Sequence, residues 1–468
     1  MRNGATRRKS HGDELRNWKP RPRPCESRPR LLKKTDLPEV LDLDEEPSCV
    51  HGYAVGAQCL FLRLVLQGVS LRGVPRVLEV LSAAVGLALP IPHWTTGRLW
   101  LLRLGHALLT MELDKTDDWA WLVDHSVQIG QEKCLVILGI RLKDLPAQGE
   151  CLQHTDLHLI ALVPRKSWTR QEVDDELEAA SQRTGIPRVI VDDHGVDIAG
   201  GVSFFQERHP ETVEIYDAKH KAACLLKNRL EKNPRWQALQ QRVGQTRCAI
   251  QQTEMAFLVP PAPKPKARFM NLAPTLQWAE NVLAVLQQSP TVVSEQVSGE
   301  RLEEKLGWLR EFKADVAEWA EWQQVVNVTV EFVNRQGIYR GIAKQLRTKL
   351  RPHREYHSSR CLAKELVAFV AQQARRARPG ERFPGSTEAL ESCFGRFKQL
   401  EKQQARGGFT SLILGFGALL AETTTQAVAQ AMKQSPTKAV MQWCKEHLGT
   451  TLFGRRQQAF AACATKDG

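Results

Sequence analysis

The chain has 468 residues, 42% of them hydrophobic, and a formal net charge of +13. That length allows about two to four folded domains, and the basic excess favours a polyanionic partner, most often nucleic acid, over a soluble protein with only a basic tail. The longest apolar runs fall short of the ~20 residues that cross a bilayer, and no apolar segment follows the arginine-rich start, which argues against a membrane or secreted protein. Because its eleven cysteines are scattered without a C-x-x-C pair, we expect a cytoplasmic protein with no membrane partner.

The first two segments of the chain differ in composition. Residues 1–48 are rich in arginine, lysine and proline and end in the acidic run LDLDEE, so we expect a disordered basic tail, either a solubilising segment or an arm on DNA phosphates. Residues 49–113 carry apolar residues at helical spacing, with Ser70 as a candidate cap and Pro92 before the last helix. Short helices joined by tight turns predict a helical DNA-binding region of the helix-turn-helix kind, or an ordinary helical packing domain.

Residues 114–220 alternate between strand and helix patterns. A helix begins at a capping box of Thr169 and Glu172, and a short helix follows at GGVSFFQERHP. Strands are predicted at WAWLVDHSVQIG, CLVILGIRL, LHLIALVPRK, IPRVIVDDHG and TVEIYDAKH. Three strands, a helix, a strand, a short helix and a strand is the order of the RNase H-like fold. We therefore predict an α/β protein with an RNase H-like mixed-sheet core, of which residues 114–220 form the first part.

The remainder of the chain has a helical pattern. Residues 221–385 include TLQWAENVLAVLQQ and RLEEKLGWLREFKADVAEWAEWQQVVNVTVEFV, interrupted by the proline-rich linker VPPAPKPKARF. They predict a large all-α block. Residues 386–468, from STEALESCFGRFKQLEKQQ onward, are expected to supply the second part of the core and the C-terminal helices.

Acidic residues follow two of the apolar strands. Phosphodiester chemistry with two divalent metal ions needs several carboxylates converging on one point. In an RNase H-like sheet, one aspartate lies on the first strand, a second lies just past the fourth strand, and the third acid comes from a late helix. Asp124 meets the first requirement, and Asp192 or Asp193 meets the second. Since adjacent strand residues point to opposite faces, only one of the two can serve, and we favour Asp193 at the exit from the apolar run.

Several segments in this order resemble the DDE transposases of bacterial insertion sequences. They are VDHS, VILGIRL, VIVDDHGVDIAGGVSFF, IYDAKHKAACLLKNRL and EALESCFGRFK. The resemblance spans about residues 50–450 and implies Mg²⁺ or Mn²⁺ as cofactor. It identifies Glu391 as the third metal ligand, because many relatives carry a lysine seven residues after the final glutamate, as Lys398 does here. Pro384 and Thr387 replace the tyrosine and arginine of the fuller motif, which leaves Glu388 as the alternative.

The resemblance also explains a long interval between the acids. Asp193 and Glu391 are 198 residues apart, against 69 between Asp124 and Asp193. Several transposases insert a whole helical domain at that point, and the block 221–385 stands in its place. In such relatives an insertion-domain tryptophan can stack on a flipped base. The candidates by residue type are Trp278, Trp308, Trp319 and Trp322, although tryptophans at helical spacing are more often core.

Basic residues near the acids predict contacts with DNA. Lys398, Lys402 and Arg406 follow Glu391 at helical spacing, as a phosphate-binding stripe or a solvated face. Lys219 and His220 cluster with Asp217 after the fifth strand, either beside the site or in a capped turn.

The resemblance implies cleavage of double-stranded DNA at transposon ends, followed by strand transfer into target DNA. It further implies a homodimer or larger synaptic assembly, associated with a bacterial nucleoid. Two alternatives stay open: a catalytically inactive DNA-binding descendant of a transposase, and a structure-specific nuclease of the same fold.

Overall fold

A five-stranded mixed sheet organises the chain. The computed structural model describes residue 41 and residues 52–464, apart from 87–90, 130–131, 263–268, 270–271, 289–296, 404–409 and 451. The strands are β1 (Trp119–Ile129), β2 (Glu132–Arg141), β3 (His158–Arg165), β4 (Val189–Asp192) and β5 (Val213–Tyr216). Their order in the sheet is β3-β2-β1-β4-β5. The predicted tail, residues 1–48, lies outside the described residues except for position 41.

Strand direction gives this sheet the RNase H-like topology. β1, β2 and β3 pair as an antiparallel meander, whereas β4 pairs parallel to β1 and β5 pairs parallel to β4. Helix α4 (Arg170–Thr184) connects β3 to β4, and helix α5 (Val196–Arg208) connects β4 to β5. The predicted fold class and the predicted order of these seven elements are confirmed.

The ends of the elements follow local sequence signals. Thr169 and Glu172 form the predicted capping box of α4, each side chain bonding the other residue's backbone N–H. The prediction that the last strand runs to His220 is wrong. β5 ends at Tyr216, because the Asp217 side chain accepts the backbone N–H groups of Lys219 and His220 and starts helix α6 (Ala218–Leu230).

The sheet has apolar residues on both faces. Trp121, Val123 and Ile190 face α4 and α5, where they join a core with Phe205. Ala120, Leu122, Val189, Val191 and Ile215 belong to the larger core, which also contains residues of the helices outside the α4–α5 layer. This alternation is what a strand period of two produces when both faces are covered.

Three helices precede the sheet: α1 (Val55–Leu66), α2 (Gly73–Val85) and α3 (Trp94–Thr110). α3 is buried over most of its length and packs against β3 and the C-terminal helices. At Gly105 a Cβ atom would lie 1.7 Å from the Leu414 carbonyl oxygen, so only glycine permits this approach. α3 is therefore a packing helix, while α2 keeps an exposed face with Val80 and Val85.

The helical block between β5 and the final acids begins with α6. It continues as α7 (Pro234–Ile250), α8 (Ala273–Val285), α9 (Gly299–Leu306), α10 (Lys313–Gln336), α11 (Ile342–Lys349) and α12 (His357–Ala374). The chain then returns to the sheet as α13 (Glu388–Glu401), which packs on β1. The C-terminal helices are α14 (Gly415–Ala418), α15 (Thr425–Gln434), α16 (Thr437–His447) and α17 (Leu452–Ala464). Within the described residues, no helix is long and apolar enough to cross a bilayer.

Candidate active site

Asp124 lies on the central strand at the point where its apolar run stops. Trp121, Leu122 and Val123 are fully buried, and Asp124 follows directly. Strand β4 runs parallel beside it, with Val123 paired to Asp192 as the last register pair. One residue further along both strands brings Asp124 beside Asp193. Because strand residues alternate between faces, these two carboxylates share the face of Leu122 and Val191.

Asp192 points to the other face of the sheet. It is fully buried, on the side of Val123 and Ile190, and its Oδ1 accepts the His194 backbone N–H at 2.6 Å. Burial and the negative charge of Glu214 raise the pKa of Asp192 well above its ordinary value. Asp193, which is partly exposed, accepts the Gly195 N–H at 2.8 Å in a turn that fixes its position at the strand end.

Glu391 reaches the same region from the first turn of α13. One oxygen, Oε2, forms an ion pair with Lys219. The other, Oε1, is buried and has no hydrogen-bond partner among the residues that the structure describes. A buried carboxylate oxygen without a donor is costly unless another group completes its coordination.

Asp217 fixes α13 to the sheet. Its Oδ2 accepts the Thr387 backbone N–H at 2.6 Å and the Thr387 hydroxyl at 2.8 Å. Its Oδ1 accepts the N–H groups of Lys219 and His220 at 2.6 and 2.9 Å. A carboxylate has about four acceptor sites, so Asp217 is engaged by the protein itself. Its carboxylate is close enough to Glu391 and His220 to form a metal-ligand group, but we assign it to positioning Glu391.

Charge accumulates at this corner of the sheet. Although Asp124 keeps some exposed surface, burial of its carboxylate and the negative charges of Asp193, Glu391 and Asp217 raise its pKa well above the ordinary aspartate value. Burial lowers the pKa of Lys219, but Glu391, Glu388 and Asp217 outweigh it and hold that pKa above its usual range. Asp193, Glu391 and Asp217 therefore lie close enough to act on Asp124, with Lys219 as a nearby counter-charge.

Glu388, the alternative third acid, has a different environment. Its carboxylate accepts a hydrogen bond from the Asn334 side chain on α10. Burial raises its pKa, with Lys219 opposing and Glu391 reinforcing that shift. Glu391 perturbs Asp124, whereas Glu388 is not among the principal influences on that aspartate.

The other predicted contact residues are spread around the acids. His220 lies beside Asp217, with its Nδ1 3.9 Å from the Asp217 Oδ1. Lys398 is exposed on α13, two turns beyond Glu391, and Lys402 is the exposed C-cap residue of that helix. The helix ends at Glu401. Arg406, which was predicted to continue the basic stripe along it, lies outside the described residues.

The candidate tryptophans of the helical block are packed within it. Trp319 lies edge-on to Trp236 with ring centroids 5.1 Å apart, and the Trp322 indole donates to the Ser358 hydroxyl at 2.9 Å. The other two are half-buried: Trp278 donates to the Leu258 carbonyl and Trp308 to the Thr246 hydroxyl. These contacts fit the core interpretation of all four.

Two observations support a divalent cation at these acids, although among the described residues their carboxylate oxygens do not all lie within 4.8 Å of one another. Asp124, Asp193 and Glu391 come from three separate elements, and the negative charges of Asp193 and Glu391 both act on the Asp124 carboxylate, which is unfavourable without added positive charge. Glu391 Oε1 is also buried without a donor among the described residues. Carboxylate oxygens are the ligands that Mg²⁺ and Mn²⁺ prefer.

The chain is similar in fold to a solved transposase structure. The structure titled "Drosophila P element transposase strand transfer complex" aligns over 82% of this chain and 94% of that chain, with 10% sequence identity and a TM-score of 0.38. No family model matches the chain, and no curated protein matches it.

Two features of the site were not predicted. The Asp217–Thr387 bonds join residues 170 positions apart, and the Lys219–Glu391 pair joins residues 172 apart. Only the role of Asp217 could have been expected from the sequence. Asp217 directly follows an apolar strand and precedes a helix, a position where aspartate readily caps the helix.

Proposed function

We propose that this chain is a DNA transposase of the DDE type, similar to those of bacterial insertion sequences. It hydrolyses DNA at transposon ends and then joins the freed 3′-OH to target DNA. Asp124, Asp193 and Glu391 would hold Mg²⁺ or Mn²⁺ on the face of the sheet that α13 covers. We further propose that it acts on double-stranded DNA as a homodimer or larger synaptic assembly.

The arrangement of Asp124, Asp193 and Glu391 at one corner of the sheet carries this proposal, together with the effect of the Asp193 and Glu391 charges on Asp124. The three carboxylates come from the first strand, the end of the fourth strand and a late helix of an RNase H-like sheet. The alternation of faces supports Asp193 over Asp192, because Asp193 shares the face of Asp124. The hydrogen bond of Glu388 to Asn334 and the buried free oxygen of Glu391 support Glu391 as the third ligand.

The side chains around the acids have separate roles in the proposal. Asp124, Asp193 and Glu391 would hold the metal ions, whose chemistry would be to activate the attacking oxygen and to stabilise the leaving one. Asp217 holds the first turn of α13 so that Glu391 faces the sheet. Lys219 neutralises Glu391, and we assign phosphate contact to Lys219 and His220. Lys398 and Lys402 extend a basic edge along α13 for the DNA backbone, a contact that also fits the net charge of +13.

Cleavage of DNA that carries the chain's own flanking sequences tests the proposal. Labelled duplexes from either side of its coding region are incubated with the protein, a supercoiled target plasmid and Mg²⁺. We expect nicking at defined positions and joining of the labelled 3′ ends to the plasmid. Asp124→Asn should abolish both products and leave DNA binding intact.

A matched variant separates chemistry from folding. Asp118 lies at the opposite end of β1, in an ion pair with Arg141, so Asp118→Asn should keep both activities. Cleavage without joining would favour the structure-specific nuclease, and binding without cleavage by the unchanged chain would favour the inactive DNA-binding descendant. Substantial cleavage by Asp124→Asn in Mg²⁺ would refute the metal assignment.

A further inference from the structure

A second cluster of ligand-type side chains lies on the opposite face of the sheet from Asp124. Asp192 ends β4, Glu214 lies on the neighbouring strand β5, and His194 occupies the turn after β4. One potential ligand atom from each of the three lies within 4.8 Å of the others. The cluster therefore brings two carboxylates and an imidazole to one point beside the turn that carries Asp193.

The polar atoms of this cluster are not satisfied by the protein. Asp192 is fully buried, yet its Oδ2 finds no hydrogen-bond partner in the part of the chain that the structure describes. Glu214 Oε1 is buried as well and makes no hydrogen bond to any described residue, although His194 Nε2 lies 3.2 Å from it. Two facing carboxylates with free buried oxygens are stable together only with a shared proton or a bound cation.

His194 is held where its ring can complete the set. Its φ of 61° lies in the left-handed region, which non-glycine residues seldom adopt. The Asp192 Oδ1 accepts its backbone N–H, and its ring lies 4.4 Å from the Tyr216 ring, measured between centroids. The His194 side of the cluster is accessible to solvent, because the His194 side chain is 41% exposed.

We propose that Asp192, His194 and Glu214 bind one divalent first-row transition-metal ion, such as Mn²⁺, at a site separate from the Asp124 cluster. Two carboxylate oxygens and one imidazole nitrogen suit such an ion, and water can fill the positions on the exposed His194 side. The ion links the ends of β4 and β5 and fixes the turn that presents Asp193. Its existence does not depend on the proposed transposase activity.

Mn²⁺ binding to a chain with a disabled Asp124 cluster tests this site. The parent protein carries Asp124→Asn and Glu391→Gln, and bound Mn²⁺ is counted from the loss of the free-ion EPR signal. Mn²⁺ is the chosen probe because it competes poorly for the eleven cysteine thiols, which would capture Zn²⁺. We expect the parent to retain a single bound ion per chain.

Two variants of that parent remove a ligand each. Glu214→Gln keeps the side-chain size, and His194→Gly suits the left-handed backbone while it removes the imidazole. Since loss of outer partners of metal ligands already costs roughly 10- to 100-fold in affinity, each variant should weaken Mn²⁺ binding by at least about tenfold. Glu211→Gln is the matched control, because the Glu211 side chain is 79% exposed, on the same segment, and it should leave binding unchanged.

The outcomes separate this site from the proposed active site. A parent protein that binds no Mn²⁺ would show that Asp192 and Glu214 share a proton instead. Unchanged Mn²⁺ affinity in both His194→Gly and Glu214→Gln would place the ion elsewhere. Either result overturns the inference. Circular dichroism of each variant verifies folding, and His194→Gly decides the question if Glu214→Gln fails to fold. None of these results depends on whether the protein cleaves DNA.

Discussion

Replacing Asp217 tests how the fold positions Glu391. Asp217 is fully buried and accepts four hydrogen bonds, two from the first turn of α6 and two from Thr387, which is itself fully buried. Asp217→Ala removes a helix N-cap, at a cost of about 1 kcal/mol. It also leaves the buried Thr387 N–H without its acceptor, at a cost of about 1–3 kcal/mol. The free energy of unfolding should therefore fall by about 2–4 kcal/mol.

The assay combines urea unfolding with the Mg²⁺ requirement for DNA cleavage. Because Thr387 directly precedes α13, its release should displace Glu391, and Asp217→Ala should need more Mg²⁺ for half-maximal cleavage. Thr169→Ala is the control: it removes the cap of α4, away from the acids, and should cost about 1 kcal/mol without changing the Mg²⁺ requirement. If Asp217→Ala were no more destabilising than Thr169→Ala and left the Mg²⁺ requirement unchanged, the positioning role would be refuted.

Three further predictions concern the acids and the tail. Glu391→Gln should abolish cleavage while Glu388→Gln costs at most a modest fraction of it, measured on labelled duplexes; the reverse ranking would overturn the choice of glutamate. Because the pKa of Asp124 is raised in the folded protein, protonation of its carboxyl stabilises the fold at low pH, and this stabilisation is lost as pH rises through the raised pKa. Near pH 8, metal-free Asp124→Asn should therefore have a higher melting temperature than the unchanged protein. That difference should shrink as pH falls toward about 4, because the Asp124 carboxyl is protonated in the folded protein there and that pH is close to the ordinary aspartate pKa, and a difference constant with pH would contradict the prediction. Deleting residues 1–48 should weaken binding to all DNA sequences alike and flatten its dependence on salt, and an unchanged salt slope would make the tail a solubiliser.

Sequence patterns located the five strands because most of them contain nearly continuous apolar runs. Trp119–Ile129 and Val189–Asp192 are recognisable from composition, and the acid that interrupts each run is visible in the same pattern. The face of each acid follows from the strand period once the register is known. The register itself pairs residues about 70 positions apart, which no local pattern contains.

The supporting contacts could not be predicted for the same reason. Asp217 was visible as a candidate cap, but its second partner, Thr387, approaches only after the helical block has brought α13 back to the sheet. Glu214 stands in a strand pattern where an acid would ordinarily face solvent, and only the pairing of β4 with β5 places it beside Asp192. Asn334, which binds Glu388, lies on the long helix α10 and carries no distinguishing sequence signal.

Anomalous diffraction from crystals soaked in Mn²⁺ tests the proposed metal site most directly. We expect density bounded by the carboxylates of Asp124, Asp193 and Glu391, with two ions ~4 Å apart when DNA is bound. Ligation by Glu388 in place of Glu391, or by Asp192 in place of Asp193, would require a different triad. Absence of any peak between β1 and α13 at saturating Mn²⁺ would contradict the assignment of this corner of the sheet as a metal-dependent nuclease site.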